Sequence, residues 1–209
     1  MPLAIENGTV LVPDVDGPPP ETHLLEVRHF PQEGKLWCWA ACVQMVLEYY
    51  QRTKPESGIQ SKTQCDITKE LAKIENKPIE ACPEDPQLKL ASCDPDLMKA
   101  VWVRCNLKEE LQDRKAVLKM EHIKEQIANG KPIQVGIRWD LAHGGGGHAV
   151  LIKGWVGTNP EALVIDDPLR DSSFGLHDPF LAGSGRATHA ELKAALGHGQ
   201  WFRTWFDLA

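Results

Sequence analysis

The stretch WCWAACVQMVLEYY, residues 37–50, limits what this chain can fold into more than any other. After Trp39 its only strongly polar residues are Gln44 and Glu48, four apart and therefore on one narrow stripe of a helix. A helix apolar on all its other sides is a core helix, buried almost all round. Arg52, Lys54 and Pro55 close it. Cys38 then lies in its first turn, preceded by the Gly-containing loop QEGKL. At that place unpaired backbone N–H groups and the helix dipole stabilise a thiolate.

The remaining pattern fills in an α+β architecture. Residues 1–22 are rich in Pro, Gly and Asp and end in DGPPPE, which reads as an extended arm ahead of a single domain over 23–209. HLLEVRHF (23–30) reads as a short strand. QCDITKELAKI (64–74) reads as an amphipathic helix with Asp66 as its cap. DPDLMKAVWV (94–103) is a second, with Leu97, Ala100 and Val101 on one face. KEELQDRK (108–115) reads as a solvated surface. LKMEHIKEQIANGKP (118–132) is a helix carrying Met120, Ile123 and Ile127 on one side and stopped by Asn-Gly and Pro. Strands follow at 132–139, 148–156 and 161–168, the last two pairing as a hairpin around GTNPE, and WFRTWF (201–206) closes the sheet. A helical half followed by a mainly antiparallel β half is the expectation.

Composition excludes several function classes. The formal charge of -6 argues against nucleic acid as a partner, because phosphate binding needs clustered Lys and Arg. No apolar run approaches the roughly 18 residues of a membrane span. The N-terminus lacks the basic start and apolar stretch of a secretory signal, so the expected location is the cytosol or a destination reached by a signal-independent route. The six cysteines, at 38, 42, 65, 82, 93 and 105, are expected to be mostly reduced, with Cys82–Cys93 the candidate bridge outside the cytosol. Their spacing completes no tetrahedral zinc set, so no metal or other cofactor is expected. Gly144–Gly147 are not followed by Lys-Ser/Thr and make no phosphate loop. Lacking Cβ atoms, they suit a cleft wall approached by a substrate backbone.

Four residues combine into a chemistry. His148 opens one strand of the expected hairpin, and Asp166 and Asp167 end the other, so imidazole and carboxylate stand on neighbouring strands about 4.8 Å apart. Alternation sends the two Asp side chains to opposite faces, and either is a candidate to orient the ring. Across a cleft from the sheet, Cys38 supplies a thiol that His148 deprotonates. Gln32, six residues before the thiol, supplies a side-chain amide for a developing oxyanion, beside the backbone N–H of Cys38.

Gln32 followed by Cys38-Trp39-Ala40 at the head of a long apolar helix resembles the signature of papain-like cysteine peptidases. His148-Ala-Val-Leu-Ile and Asp167-Pro168 resemble its bacterial branch, which includes bacteriocin-leader peptidases and effector cysteine proteases. The likeness extends to TQCDI (63–67), the stretch near Cys82 and Cys93, NGKPIQVGIRW (129–139) and GQWFRTWF (199–206), or roughly residues 24 to 206. It implies a papain-like fold with a central helix packed on the sheet half and a cleft between them. By position it makes Cys38 the nucleophile, His148 the base and acid, Gln32 the oxyanion donor and Asp167 the orienting carboxylate, with Asp166 the alternative. It implies a cofactor-free peptidase of protein or peptide substrates, a free-standing effector or toxin with an inhibitor or immunity protein as partner. The same residues would also serve an acyltransferase, deamidase or peptide ligase, or persist in an inactive binding module.

Overall fold

The computed structural model describes residues 5–6, 9–10, 21–34, 36–78, 82, 93–107, 111–143, 145–157, 161–169 and 184–208. In it the apolar run forms α1 (Cys38–Thr53), with only Gln44 and Glu48 partly exposed among residues 40–50. Lys54 N–H donates to Tyr50 O (2.8 Å) and ends the helix ahead of the single turn Pro55–Ser57. α2 (Gln64–Ile74) occupies the expected residues, but its cap is Thr63 rather than Asp66. Thr63 has extended backbone geometry and accepts from Asp66 N–H, while its hydroxyl donates to the Asp66 carboxylate at 2.7 Å. Asp66 is therefore the third helical residue of a reciprocal cap.

α3 (Met98–Arg104) buries Met98, Val101 and Trp102 instead of the expected Leu97 and Ala100. A 3₁₀ turn, Pro95–Leu97, precedes it and has three residues per turn, so the helical phase restarts at Met98. α4 (Met120–Ala128) buries Ile123 and Ile127 and stops before Gly130, whose φ of +70° favours glycine.

Among the described residues, seven strands form the main sheet. In chain order these are β3 (Thr22–Leu24), β4 (Gln112–Arg114), β5 (Ile133–Trp139), β6 (Gly147–Val156), β7 (Ala162–Asp166), β8 (Ser184–Thr188) and β9 (Gly199–Phe206). Their order in space is β4-β9-β5-β6-β7-β8, every pair antiparallel. β3 pairs with the far half of β6, Thr22 opposite Val156, in the lane that β5 leaves after Ile133. A separate ladder joins β1 (Ile5–Glu6) to β2 (Thr9–Val10); residues 1–4, 7–8 and 11–20 of the N-terminal arm, residues 158–160 within GTNPE, Gly144 and most of 82–95 lie outside the described residues.

Three expectations need correction. The 23–30 segment is strand only at its start, because Val27 N–H bonds back to Leu25 O (2.8 Å) and turns the chain so that Val27 is buried against the α1 core. Within 108–115, Gln112–Arg114 is a strand that the charge run did not suggest, with Gln112, Arg114 and Lys115 exposed as expected and only Leu111 and Asp113 turned inward among the described residues. There Asp113 receives a two-pronged bond from Arg203 (both contacts 2.6 Å), and the same guanidinium reaches Asp96 at 2.5 Å. One arginine thus joins β4 and β9 to the turn ahead of α3. Finally, Cys82 is bonded to Cys65 rather than to Cys93, with Cα atoms 5.9 Å apart. β8 and α5 (His189–Lys193), the latter begun by a Thr188–Glu191 capping box, were not expected from the sequence.

Strand alternation divides the apolar residues between two faces. Ala149, Leu151 and Trp205 pack with α1, α2 and α3. Ile133, Val135, Val150 and Ile152 pack on the other side with α4 and α5. β6 is covered on both faces and is buried from His148 to Val156, which explains its nearly continuous apolar sequence. The architecture is α+β with a mainly antiparallel sheet flanked by helices, compatible with a papain-like fold.

Gly154 lets β3 approach β6, since a Cβ there would stand 2.6 Å from His23 O. Gly154→Ala is expected to displace β3 and lower stability by about 1–3 kcal/mol in denaturant unfolding.

Candidate active site

α1 begins at Cys38 with no side-chain cap from Trp37 and no acidic residue in its first turn. The positive end of its dipole is therefore left to the Cys38 sulfur. The helix is fixed by its burial on β6, and this aims its first turn at the start of that strand, where His148 stands opposite Ile137 of β5.

His148 is almost fully buried and meets two partners. Its Nε2 lies 2.8 Å from Asp167 Oδ1, and Cys38, which lines the same cavity, lies near enough to act electrostatically on the ring. With Nε2 on the carboxylate, Nδ1 is the ring nitrogen left for the thiol. Burial opposes charge on the ring, but the bond with Asp167, and the negative charge of Cys38 and Asp167, outweigh it and raise the His148 pKa to about 10. Trp139 stacks on the imidazole with centroids 5.8 Å apart and planes at 21°. The indole covers one face of the ring and limits its rotation.

Asp167 stands one residue beyond β7 and has almost no exposed surface. Its Oδ1 also accepts from Leu169 N–H at 2.9 Å, so the turn that follows holds the carboxylate in place. The neighbouring Asp166 lies opposite Leu151 and bonds Lys153 Nζ at 2.8 Å, not the histidine. Each of the two Asp residues thus has its own cationic partner.

Gln32 is joined to the same turn: its backbone N–H donates to Pro168 O at 2.8 Å. Its side-chain Nε2 gives a hydrogen to Gly34 O at 3.0 Å. The loop around it is held by Gln64, which donates to Pro31 O (2.9 Å) and accepts from Glu33 N–H (2.8 Å). Gln64 is buried and also donates to Gln44 of α1 at 3.0 Å. It grips the residues on both sides of Gln32.

Cys38, His148 and Gln32 line one cavity of about 720 Å³. Gly145, Gly146 and Gly147 form part of its wall. Opposite them are Met98 and Cys93 from the helical side. At Gly136 the rings of Phe202 and Trp205 come so close that a Cβ would meet both at 3.2 Å. The exposed side chains of Leu36 and Leu141 flank the mouth.

Sequence reasoning did not identify Gln64, Trp139 or Lys153 as parts of this site. Gln64 was within a helix already recognised, and only its burial, on a face otherwise apolar, marks it out. Trp139 ends a strand whose alternation was clear, but its stacking partner is set by pairing. Lys153, a charge inside the apolar run HAVLIKGWV, was the signal most open to notice.

The other free thiols differ from Cys38 in setting. Cys42, one turn further along α1, is wholly buried, and burial first, then the charges of Cys38, Asp167 and Asp166, raises its pKa well above the ordinary range. Burial, with Glu75 and Asp94 adding, pushes Cys93 up to about 12. Burial likewise pushes Cys105 up to about 12.

No curated protein matches the chain. A family model described as the peptidase C39 like family matches residues 24–180, more than half of its length. Cys38 at the start of α1, His148 and the buried carboxylate that holds it all fall within the matched residues, and the chain belongs to the peptidase C39-like family of cysteine peptidases.

Proposed function

We propose that the protein is a papain-like cysteine peptidase that hydrolyses peptide bonds through a Cys38–His148–Asp167 triad and an acyl-thioester. The hydrogen bond between His148 and Asp167, with Cys38 at the head of α1 lining the same cavity, carries this reading. Cys38 gives its proton to His148, and the sulfur attacks the scissile carbonyl carbon, forming a C–S bond and an oxyanion. The Cys38 backbone N–H and the Gln32 amide stabilise that oxygen. As the C–N bond breaks, His148 passes its proton to the leaving amine. A water then gives a proton to His148 and attacks the thioester, releasing the acid and restoring the thiol. Asp167 keeps the ring in the required tautomer throughout.

Every group needed comes from the chain, so the proposed reaction uses no metal or organic cofactor. We further propose a free-standing bacterial enzyme of the effector or toxin type, acting in the cytoplasm or after export by a signal-independent route. An inhibitor or immunity protein is its proposed partner beside the protein or peptide substrate. Nucleic acid and membrane have no part in the proposal, in keeping with the acidic composition.

Labelling with iodoacetamide near neutral pH tests the nucleophile. Cys38 is expected to react far faster than Cys42, Cys93 and Cys105, whose thiols burial keeps protonated. Equal labelling of all free thiols would favour a binding module. New protein termini found after incubation with the intact enzyme, and lost with Cys38→Ala, would establish hydrolysis. Amine-linked or one-dalton-shifted products would instead indicate acyl transfer or deamidation.

The pH dependence has a definite sign. The folded pKa of His148 lies above the unfolded value, so its charge contributes stability that is fully present below about pH 6.5. That contribution is lost as the pH rises through about 10. Asp167→Asn removes the charge that supports the imidazolium and is expected to lower kcat by about 10²–10⁴-fold. In the same variant the loss of stability at high pH, followed by denaturant unfolding, should begin at a lower pH than in the parent, because Asp167 no longer raises the His148 pKa.

A further inference from the structure

VIDDP brings two carboxylates to the end of β7, both almost without exposed surface, within one residue of each other. The proposed triad uses only Asp167. An uncompensated second carboxylate beside a His–Cys pair would alter the charge balance on which that pair depends. Asp166 is not left in that state.

The register of β6 and β7 shifts between Ile152 and Gly154: Ile152 faces Ile165 and Gly154 faces Val164, leaving Lys153 as the extra residue of a β-bulge. Bulges re-aim a side chain and are frequent beside active sites. The residue at this bulge carries an ammonium, buried apart from about a tenth of its side chain, with Nζ 2.8 Å from Asp166 Oδ1. The bulge is pinned from outside by Leu25 N–H, which donates to Lys153 O at 2.8 Å. From the segment before α1, His29 Nδ1 lies 4.0 Å from the same Asp166 oxygen. From α1, Cys42 faces both carboxylates with a thiol that burial and their charge keep protonated.

We propose that Lys153 is a positioning residue for the catalytic carboxylate: its buried ammonium binds and neutralises Asp166, so that Asp167 alone acts electrostatically on His148. The inference rests on the triad reading above. Lys153 is two residues from Leu151, which faces Asp166, and the bulge leaves it outside the register between β6 and β7. The ion pair also holds the end of β7, from which Asp167 and Pro168 extend to His148 and to the Gln32 loop.

The test is the pH profile of iodoacetamide labelling at Cys38, read by mass spectrometry on the full chain. Lys153→Met leaves an unbalanced negative charge and is expected to move the profile to higher pH by about half a pH unit or more. Asp166→Asn leaves an unbalanced positive charge and should move it to lower pH. The double variant, with neither charge, should return to the parent profile, and Lys153→Arg should keep it. Opposite single shifts that cancel in the double are a charge signature that packing damage does not give. If Lys153→Met does not fold, a downward shift in Asp166→Asn that the double variant reverses still supports the proposal. Coincident profiles, or shifts of one sign in every variant, would overturn it. A parent protein whose Cys38 is no more reactive than its other thiols would instead overturn the peptidase reading itself.

Discussion

The hydrogen bond between His148 Nε2 and Asp167 Oδ1 is the contact on which the proposed chemistry of this site depends. It commits one ring nitrogen to a carboxylate and leaves the other for Cys38. It can do so reliably because each end is immobilised separately. His148 is at the start of a strand buried on both faces and stacked by Trp139. Asp167 is tied down by Leu169 N–H. The sulfur is immobilised by α1, which packs on the same strand β6. A side chain on a loop would not hold a proton-transfer geometry so well.

Around that contact the molecule uses polar residues sparingly and in pairs. Gln64 holds the loop that carries Gln32, and Arg203 joins the sheet to the turn before α3 through Asp113 and Asp96. Lys153 answers Asp166. Burial makes each of these pairs consequential, because a buried charge or amide left without its partner costs far more than the pair contributes. The helical and sheet sides of the molecule are thus joined at two places, by Gln32 N–H to Pro168 O and by Arg203 to Asp96.

Much of the fold was readable from periodicity. α1, α2 and β5, β6, β7 and β9 fall close to the residues that the apolar pattern marks, because each has one face or both faces in the core. What failed was local. Asp66 was mistaken for a cap since both Thr and Asp cap helices and only backbone geometry separates them. β4 is short and drawn from a charged run, with its stability coming from Arg203, ninety residues away in sequence. The Cys65–Cys82 bond joins two segments whose proximity no spacing reveals. In the candidate site, Cys38, His148, Gln32 and the Asp pair stood out as residue types in a telling order. The separate partners of Asp166 and Asp167 did not, because the Lys153–Asp166 and His148–Asp167 contacts appear only once the strands are paired.

A covalent intermediate would decide the matter most directly. Acid quenching during turnover of a peptide ester, followed by mass analysis of proteolytic fragments, reports which atom carries the acyl group. One hydroxylamine-labile acyl group is expected, on the fragment containing Cys38 and absent from His148→Ala. An acyl group on another residue, or none while product accumulates, would contradict a sulfur nucleophile at the head of α1.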